Sequence, residues 1–201
     1  MTNDQVLSVF KDAGALLEGH FILTSGRHSR QFLQKAFVFM DPVATGVLCQ
    51  ALAAKILETF GPVDLVVSPA VGAVIPGYET ARHLGAKAIY VEREGGVFRL
   101  RRGFAIPKGA RVVVVEDIIS TGVSVRETLE AIAGHEGVLL GVAVVIDRTG
   151  GKADVGAPLV SLASVEIESF APDALPDDLV GTPAIKPGSR SLSLAPSGAA
   201  S

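Results

Sequence analysis

The stretch RVVVVEDIISTGVSVRETLEAI, residues 111–132, constrains this chain more than any other. It opens on four consecutive valines, Val112 to Val115. β-Branched side chains favour extended backbone, and an unbroken apolar run leaves neither face of a strand for water. The run therefore predicts a fully buried strand of a parallel sheet. Two adjacent carboxylates, Glu116 and Asp117, come where that strand is expected to end. Ile118, Ile119, Ser120, Thr121, Gly122, Val123 and Ser124 then lead into a helical pattern of Val125, Leu129 and Ile132. A strand, a short polar turn and a helix start point free N–H groups and the positive end of a dipole at one spot, which suits an anion. Carboxylates beside such a cradle repel phosphate unless they face something else, such as sugar hydroxyls or a cation. Acids and hydroxyls here could also be plain helix caps, and a lone Asp-x-x-Ser-Thr-Gly would be read that way. The P-loop with its lysine and the G-x-G-x-x-G spacing are both missing, which disfavours NTPases and dinucleotide enzymes.

The rest of the chain supplies the partners of that strand. Residues 3–13 predict a short amphipathic helix with Val6, Leu7 and Phe10 on one face. Residues 14–39 read as two strands around Thr24-Ser25-Gly26, standing apart as a small lobe. Asp41-Pro42 starts a helix that runs to about Phe60, with Val47, Leu48, Ala51, Leu52, Ile56 and Leu57 as its buried stripe. Strands are expected at 63–68, 86–93 and 137–147, and an edge strand at 158–167, with a helix following Ser68-Pro69-Ala70. Residues 93–103 are rich in Gly and Arg and read as a loop. The alternation predicts an α/β fold, a parallel sheet flanked by helices with a small N-terminal hood. We expect one domain over 1–185, with the hood at about 14–40 and the core at about 41–165, and a disordered tail at 186–201.

Composition narrows the function classes. The 201 residues are 48% apolar with a formal charge of −3, enough for one sizeable core. With 5% aromatic residues, no Trp and no basic excess, nucleic acid is not an expected partner. Cys49 cannot form an internal disulfide and sits in an apolar helical pattern, so it reads as core. No apolar run approaches the ~18 residues of a membrane span, and MTNDQVLSVF has no signal-peptide pattern. A cytoplasmic location, away from membranes, is expected. The histidines His20, His28, His83 and His135 show no paired ligand spacing.

The string from Arg111 to Ile132 resembles the phosphoribosyl-pyrophosphate (PRPP) motif of the type I phosphoribosyltransferases: hydrophobic run, two acids, two apolar residues, hydroxyl, Thr, Gly, any residue, Ser. GALLEGHFILTSGRHS with FLQK, SPAVGAVIPGYETARHLGAKAIYVERE and VVIDRTGG are similar, at similar spacing, to segments of the orotate phosphoribosyltransferases. That resemblance implies transfer of phosphoribosyl from PRPP to orotate, with Mg²⁺ carried by PRPP and no ion held directly by the protein. It implies that Glu116 and Asp117 hold the ribose hydroxyls, that residues 118–124 wrap the 5′-phosphate, and that Ser120 and Arg148 meet orotate. Phe32 and Leu33 would cover the base. Arg93 and Arg99 would act with Asp117 in catalysis, from a loop that closes over the neighbouring subunit's site in a homodimer.

The departures are specific. The family's loop carries Arg-Lys-x-x-Lys-x-His, of which only Arg93 aligns here; Glu94, Val97 and Arg99 fill the other places. Thr24 and Gly72 stand where many members have Lys. Arg99, Arg101, Arg102 or Lys35 are candidates to replace the missing charge. Two rival readings stay open at this level. A phosphoribosyltransferase for another base would keep the motif but lacks a use for Arg148, and a PRPP-sensing regulator would bind without turnover.

Overall fold

The computed structural model describes residues 1–23 and 25–187. Thr24 and residues 188–201, and so most of the expected tail, lie outside the described residues. In chain order the elements are α1 (Asn3–Asp12), β1 (Leu16–Ile22), β2 (His28–Leu33), α2 (Lys35–Phe39), α3 (Pro42–Phe60), β3 (Leu65–Pro69), α4 (Val74–Leu84), β4 (Lys87–Glu94), β5 (Val97–Leu100), β6 (Arg111–Ile119), α5 (Val123–Ile132), β7 (Val138–Asp147) and β8 (Leu159–Ser164). The chain divides into two compact units, residues 1–15 with 34–166, and residues 16–33 with 167 onward.

The larger unit is a six-stranded sheet in the order β5-β4-β3-β6-β7-β8. Neighbours run parallel except β4 and β5, which are antiparallel. From β3 the chain steps outward to β4 and β5, then returns to lay β6 on the other side of β3 and winds on to β7 and β8. The winding reverses between β3 and β6, and in such sheets ligands gather outside the carboxyl ends of the two strands at the reversal. The valine run is what makes β6 central: Val112 to Val115 are all buried. Val112 and Val114 join Leu65, Val67, Val142 and Val144 in the cluster that packs with Val125 and Ile132 of α5. Side chains of a strand alternate between faces, so Val113 and Val115 serve the opposite face. Each fully buried valine contributes about 1.5–3 kcal/mol.

α3 and α4 pack on each other, α3 also meets β7 and β8, and α4 also meets β3, β4 and β6. The approach of α4 depends on Gly77, where a Cβ would lie 1.9 Å from Ser68 Oγ. Asp41 caps α3 through Val43 and Ala44 N–H groups. The buried stripe of α3 is Thr45, Leu48, Cys49, Leu52, Ala53 and Ile56. The expected stripe is therefore turned: Val47 and Leu57 face outward, because the helix seats Thr45 and Cys49 toward its neighbours instead. By length and mean composition alone α3 is able to cross a membrane, a weak signal that a core helix also gives; its buried face packs on α4 and the sheet. α1 begins with a capping box between Thr2 and Gln5.

Two segments differ from their sequence expectation. Residues 93–103 hold a strand: β4 runs through Glu94 and pairs with β5, with Arg93 opposite Phe98 and Glu94 opposite Val97. Gly95 and Gly96 both have positive φ, 59° and 86°, as a two-residue hairpin turn requires. Lys35 to Phe39, expected as strand, is the short helix α2. In the smaller unit, β1 and β2 form an antiparallel hairpin with a bulge between Glu18 and Phe21. The segment after Ile167 is bonded to it. Phe170 bridges His28, and Ile185 bridges Phe21. The Arg30 guanidinium grips both oxygens of Asp178 at 2.7 Å and lies 4.8 Å over the Phe170 ring.

Candidate active site

β6 does not stop at its acids. Pairing with β7 continues through Glu116, opposite Val144, to Ile119, opposite Asp147. Both carboxylates are therefore held inside the sheet and buried, at 6% and 0% exposure. Strand alternation sends them to opposite faces. Glu116 falls on the face of α5 and, with residues 118–125, lines a hollow of about 40 Å³. Asp117 falls on the other face, where it meets Lys35.

Burial and the neighbouring Asp117 charge push the Glu116 carboxyl up to about 8, because removing water penalises the charged form. Its Oε1 accepts the Asp117 N–H at 3.0 Å. Asp117 Oδ1 accepts the Ile118 N–H at 2.5 Å and the Lys35 ammonium at 2.8 Å. Asp117 Oδ2 lies 2.6 Å from Lys35 Nζ, yet in no hydrogen-bond geometry with any described residue. The distance marks an ion pair.

The turn at 120–122 ends on Gly122 at φ 72°, a left-handed conformation glycine adopts without strain. No side chain caps α5. Its first internal bond runs from the Arg126 N–H to the Gly122 carbonyl, so the N–H groups of Val123, Ser124 and Val125 precede the helix ladder and face outward. Ser120, Thr121 and Ser124 are exposed beside them.

The end of β7 is tied to the same place, since the Arg148 N–H donates to the Ile119 carbonyl at 2.9 Å. Asp147, buried, accepts from Thr149 N–H, Thr149 Oγ1 and Gly151 N–H at 2.6–3.0 Å and so shapes the turn that carries Arg148. The Arg148 side chain is half-buried, burial lowers its pKa, and its Nε meets no described hydrogen-bond partner. The buried Nε therefore lacks an acceptor among the described residues.

Other expected site residues are elsewhere. Arg93 pairs with Glu127 of α5 at 2.5 Å and lies 4.2 Å over the Phe98 ring. Arg99 is exposed on β5, 3.8 Å from Glu94; Arg101 pairs with Glu94 at 3.2 Å and Arg102 with Glu92 at 3.0 Å. Phe32 and Leu33 belong to the smaller unit, with Phe32 against Phe21. The sequence expectation left Lys35 undecided and gave Asp147 no role. The signal for Asp147 was its place before Arg148-Thr-Gly-Gly, where a strand-end Asp can hold a turn. Among the described residues no three His, Cys, Asp or Glu side chains gather as a metal cluster.

Residues 44–175 match the phosphoribosyl transferase domain family. An orotate phosphoribosyltransferase of Methylobacterium sp. strain 4-46 is 59% identical over 191 residues, 94% of this chain and 97% of that protein. One from Methylorubrum populi is 57% identical over 193 residues, 96% and 98% of the two chains. Among solved structures, the orotate phosphoribosyltransferase of Aeropyrum pernix superimposes with a TM-score of 0.70 at 28% identity, covering 79% of this chain and 93% of that one. With the motif strand carrying two buried acids near its end, and with near full-length identity of 57–59% to these relatives, the chain belongs to the phosphoribosyltransferase family and, within it, to the orotate phosphoribosyltransferases.

Proposed function

We propose that this protein transfers the 5-phosphoribosyl group of PRPP to orotate, giving orotidine 5′-monophosphate and pyrophosphate in pyrimidine biosynthesis. The observation that carries the reading is the joined end of β6 and β7, where unmet donors and acceptors of opposite character stand side by side. In this reading the N–H groups of Val123, Ser124 and Val125, with the Thr121 and Ser124 hydroxyls, hold the 5′-phosphate. Glu116, its carboxyl pKa pushed up by burial and the Asp117 charge, and Asp117 hold the two ribose hydroxyls. Ser120 and Arg148 take orotate, whose carboxylate fits the planar guanidinium fork. Phe32 and Leu33 are assigned to the base.

The C1–O bond of PRPP breaks with its electron pair going to pyrophosphate, the orotate N1–C1 bond forms on the opposite face, and the N1 proton leaves to water. Positive charge develops on the ribose, so the buried Asp117 carboxylate favours that state. In this reading Mg²⁺ would arrive with PRPP, whose own oxygens suit it. When bound, the ion neutralises pyrophosphate charge. Arg93 and Arg99 are assigned to the departing pyrophosphate, which requires Arg93 to exchange Glu127 for substrate. Unchanged turnover in Arg93→Ala would remove that role.

A homodimer is part of this reading. Met40, Val43, Ile75 and Tyr78 are exposed, and Phe39, Pro42, Val74, Ile75 and Tyr78 line an apolar hollow of about 540 Å³ on α3 and α4, a surface suited to a second copy. Sedimentation giving only monomer at micromolar concentration would rule the dimer out. We assign the reaction to the cytoplasm, where its highly charged substrate is retained, with cell fractionation as the check. The activity itself is tested by pyrophosphate release from PRPP and Mg²⁺ with orotate, uracil or adenine as acceptor. Turnover with orotate alone is expected, whereas preference for adenine or uracil would overturn the assignment of Arg148.

A further inference from the structure

Lys35 is the first residue of α2, placed by the bond from Gln34 N–H to the Ala15 carbonyl at 2.7 Å. Its side chain is 41% exposed while its partner Asp117 is fully buried. One side of the ammonium thus neutralises a carboxylate inside the sheet, and the other opens at the carboxyl ends of β3 and β6. That is the reversal point of the winding, where the fold gathers ligands.

The approach depends on a missing side chain. Gly72 lies in the turn between β3 and α4, and a Cβ there would stand 2.5 Å from Asp117 Oδ2, 2.9 Å from Lys35 Nζ and 3.3 Å from Lys35 Cε. No side chain at position 72 can coexist with the Lys35–Asp117 pair as it stands. The backbone of Gly72 is not among the left-handed glycines, so the requirement there is space and not torsion. Beyond Gly72, α4 begins at Ala73 without a side-chain cap. Its first N–H groups add positive potential to the same corner.

We propose that Lys35 is a substrate-contacting residue of the transfer reaction, and that Gly72 is kept small to admit it. This rests on the function proposed above. With PRPP bound, the Lys35 ammonium shares itself between Asp117 and the diphosphate, and stabilises the charge that pyrophosphate gains as the C1–O bond breaks. Lys35 moves no proton and stays an ammonium throughout. A lysine is suited to this, as a compact charge on a flexible stem that can turn from one anion to another. Arg93, Arg101 and Arg102 are each paired with a glutamate, as Lys35 is with Asp117, but of the four only Lys35 stands against the buried acid of β6.

The test is steady-state kinetics of the full chain with PRPP, Mg²⁺ and orotate, for wild type, Lys35→Ala, Lys35→Gln, Gly72→Lys and the double variant Lys35→Ala/Gly72→Lys. Lys35→Ala and Lys35→Gln should lower kcat/KM for PRPP by at least about tenfold, the loss of a hydrogen bond to a charged group. The KM for orotate should hold, and the thermal midpoint should fall more in Lys35→Ala, which leaves the buried Asp117 carboxylate without its cation, than in Lys35→Gln. Lys35→Gln keeps a donor to Asp117 without the charge, so the proposal stays testable if the alanine variant unfolds. Gly72→Lys alone should also lose activity, because the new side chain displaces Lys35. The double variant should recover part of the loss, because a lysine rooted at 72 then has the vacated space. A wild-type kcat/KM for PRPP in Lys35→Gln would overturn the proposal. So would a loss shared equally by PRPP affinity and orotate affinity, which marks a structural residue. No turnover in the wild type would sink the function itself, and this inference with it.

Discussion

The two ends of β6 carry the same chemistry in opposite states. At its start, Arg111 closes on Asp64: the Arg111 N–H and Nε donate to Oδ2 at 2.9 Å, and a terminal nitrogen donates to Oδ1 at 2.7 Å. Both partners are about two-fifths exposed. The bonds hold the Asp64 carboxyl well below the usual range. At its other end, Glu116 is pushed up to about 8, and Asp117 Oδ2, 2.6 Å from Lys35 Nζ, makes no hydrogen bond among the described residues. The start spends its bonding capacity on the fold. The far end holds some back, and capacity held back in a buried place is costly unless a ligand uses it. We read the first as structural and the second as functional.

Asp117→Asn gives the sharpest contrast. It keeps shape and removes charge, and should lower the rate with orotate by about 100-fold or more while the thermal midpoint changes little. An unchanged rate would break the comparison at its functional end. Arg148→Ala should come next, raising the KM for orotate by about 10- to 100-fold and leaving PRPP affinity alone; steady-state titration of each substrate separates the two.

Glu116 makes a prediction about stability instead. Its folded pKa, about 8, lies above the ordinary 4.5. Below pH 4.5 both states hold the proton and nothing is lost. As pH rises from there toward 8 the unfolded chain releases the proton and the folded chain keeps it, so stability falls, by at most about 1.4 kcal/mol per pH unit. Glu116→Gln should flatten that slope in urea unfolding at a series of pH values between 5 and 8. An unchanged slope would place its origin elsewhere. The smallest effect belongs to Asp64→Asn. Here the folded pKa is depressed, so the contribution is present above the ordinary carboxyl range and fades as pH falls through it. Because the pair is exposed and screened, the midpoint should drop by a few degrees at most, with turnover within about twofold of wild type.

What the sequence made legible follows the same division. Val112 to Val115 announced β6 because both faces of that strand are buried, and Cys49 announced its own burial by its apolar neighbours. Glu116, Asp117 and the turn to Ser124 were legible as a group because they are contiguous. Arg148 was legible as a strand-end residue. Residues 93–103 misled because β5 is a short edge strand of four residues whose arginines and glutamates, the usual protection of an edge, mask the alternation that puts Phe98 inward. The bonding of 167–187 to β1 and β2 could not be read at all, since Arg30 and Asp178 are 148 positions apart. Lys35, Gly72 and Asp117 form their site from three separate segments. Only the topology brings them together, and the informative residue there is a glycine whose role is to be absent.

The most direct test of the claim that the far end of β6 is the ligand site is calorimetric titration of PRPP with Mg²⁺ into wild type, Asp117→Asn and Asp64→Asn. The account predicts that wild type and Asp64→Asn bind alike and that Asp117→Asn binds at least about tenfold more weakly. Equal binding by all three, or weakening in Asp64→Asn to match Asp117→Asn, would contradict it.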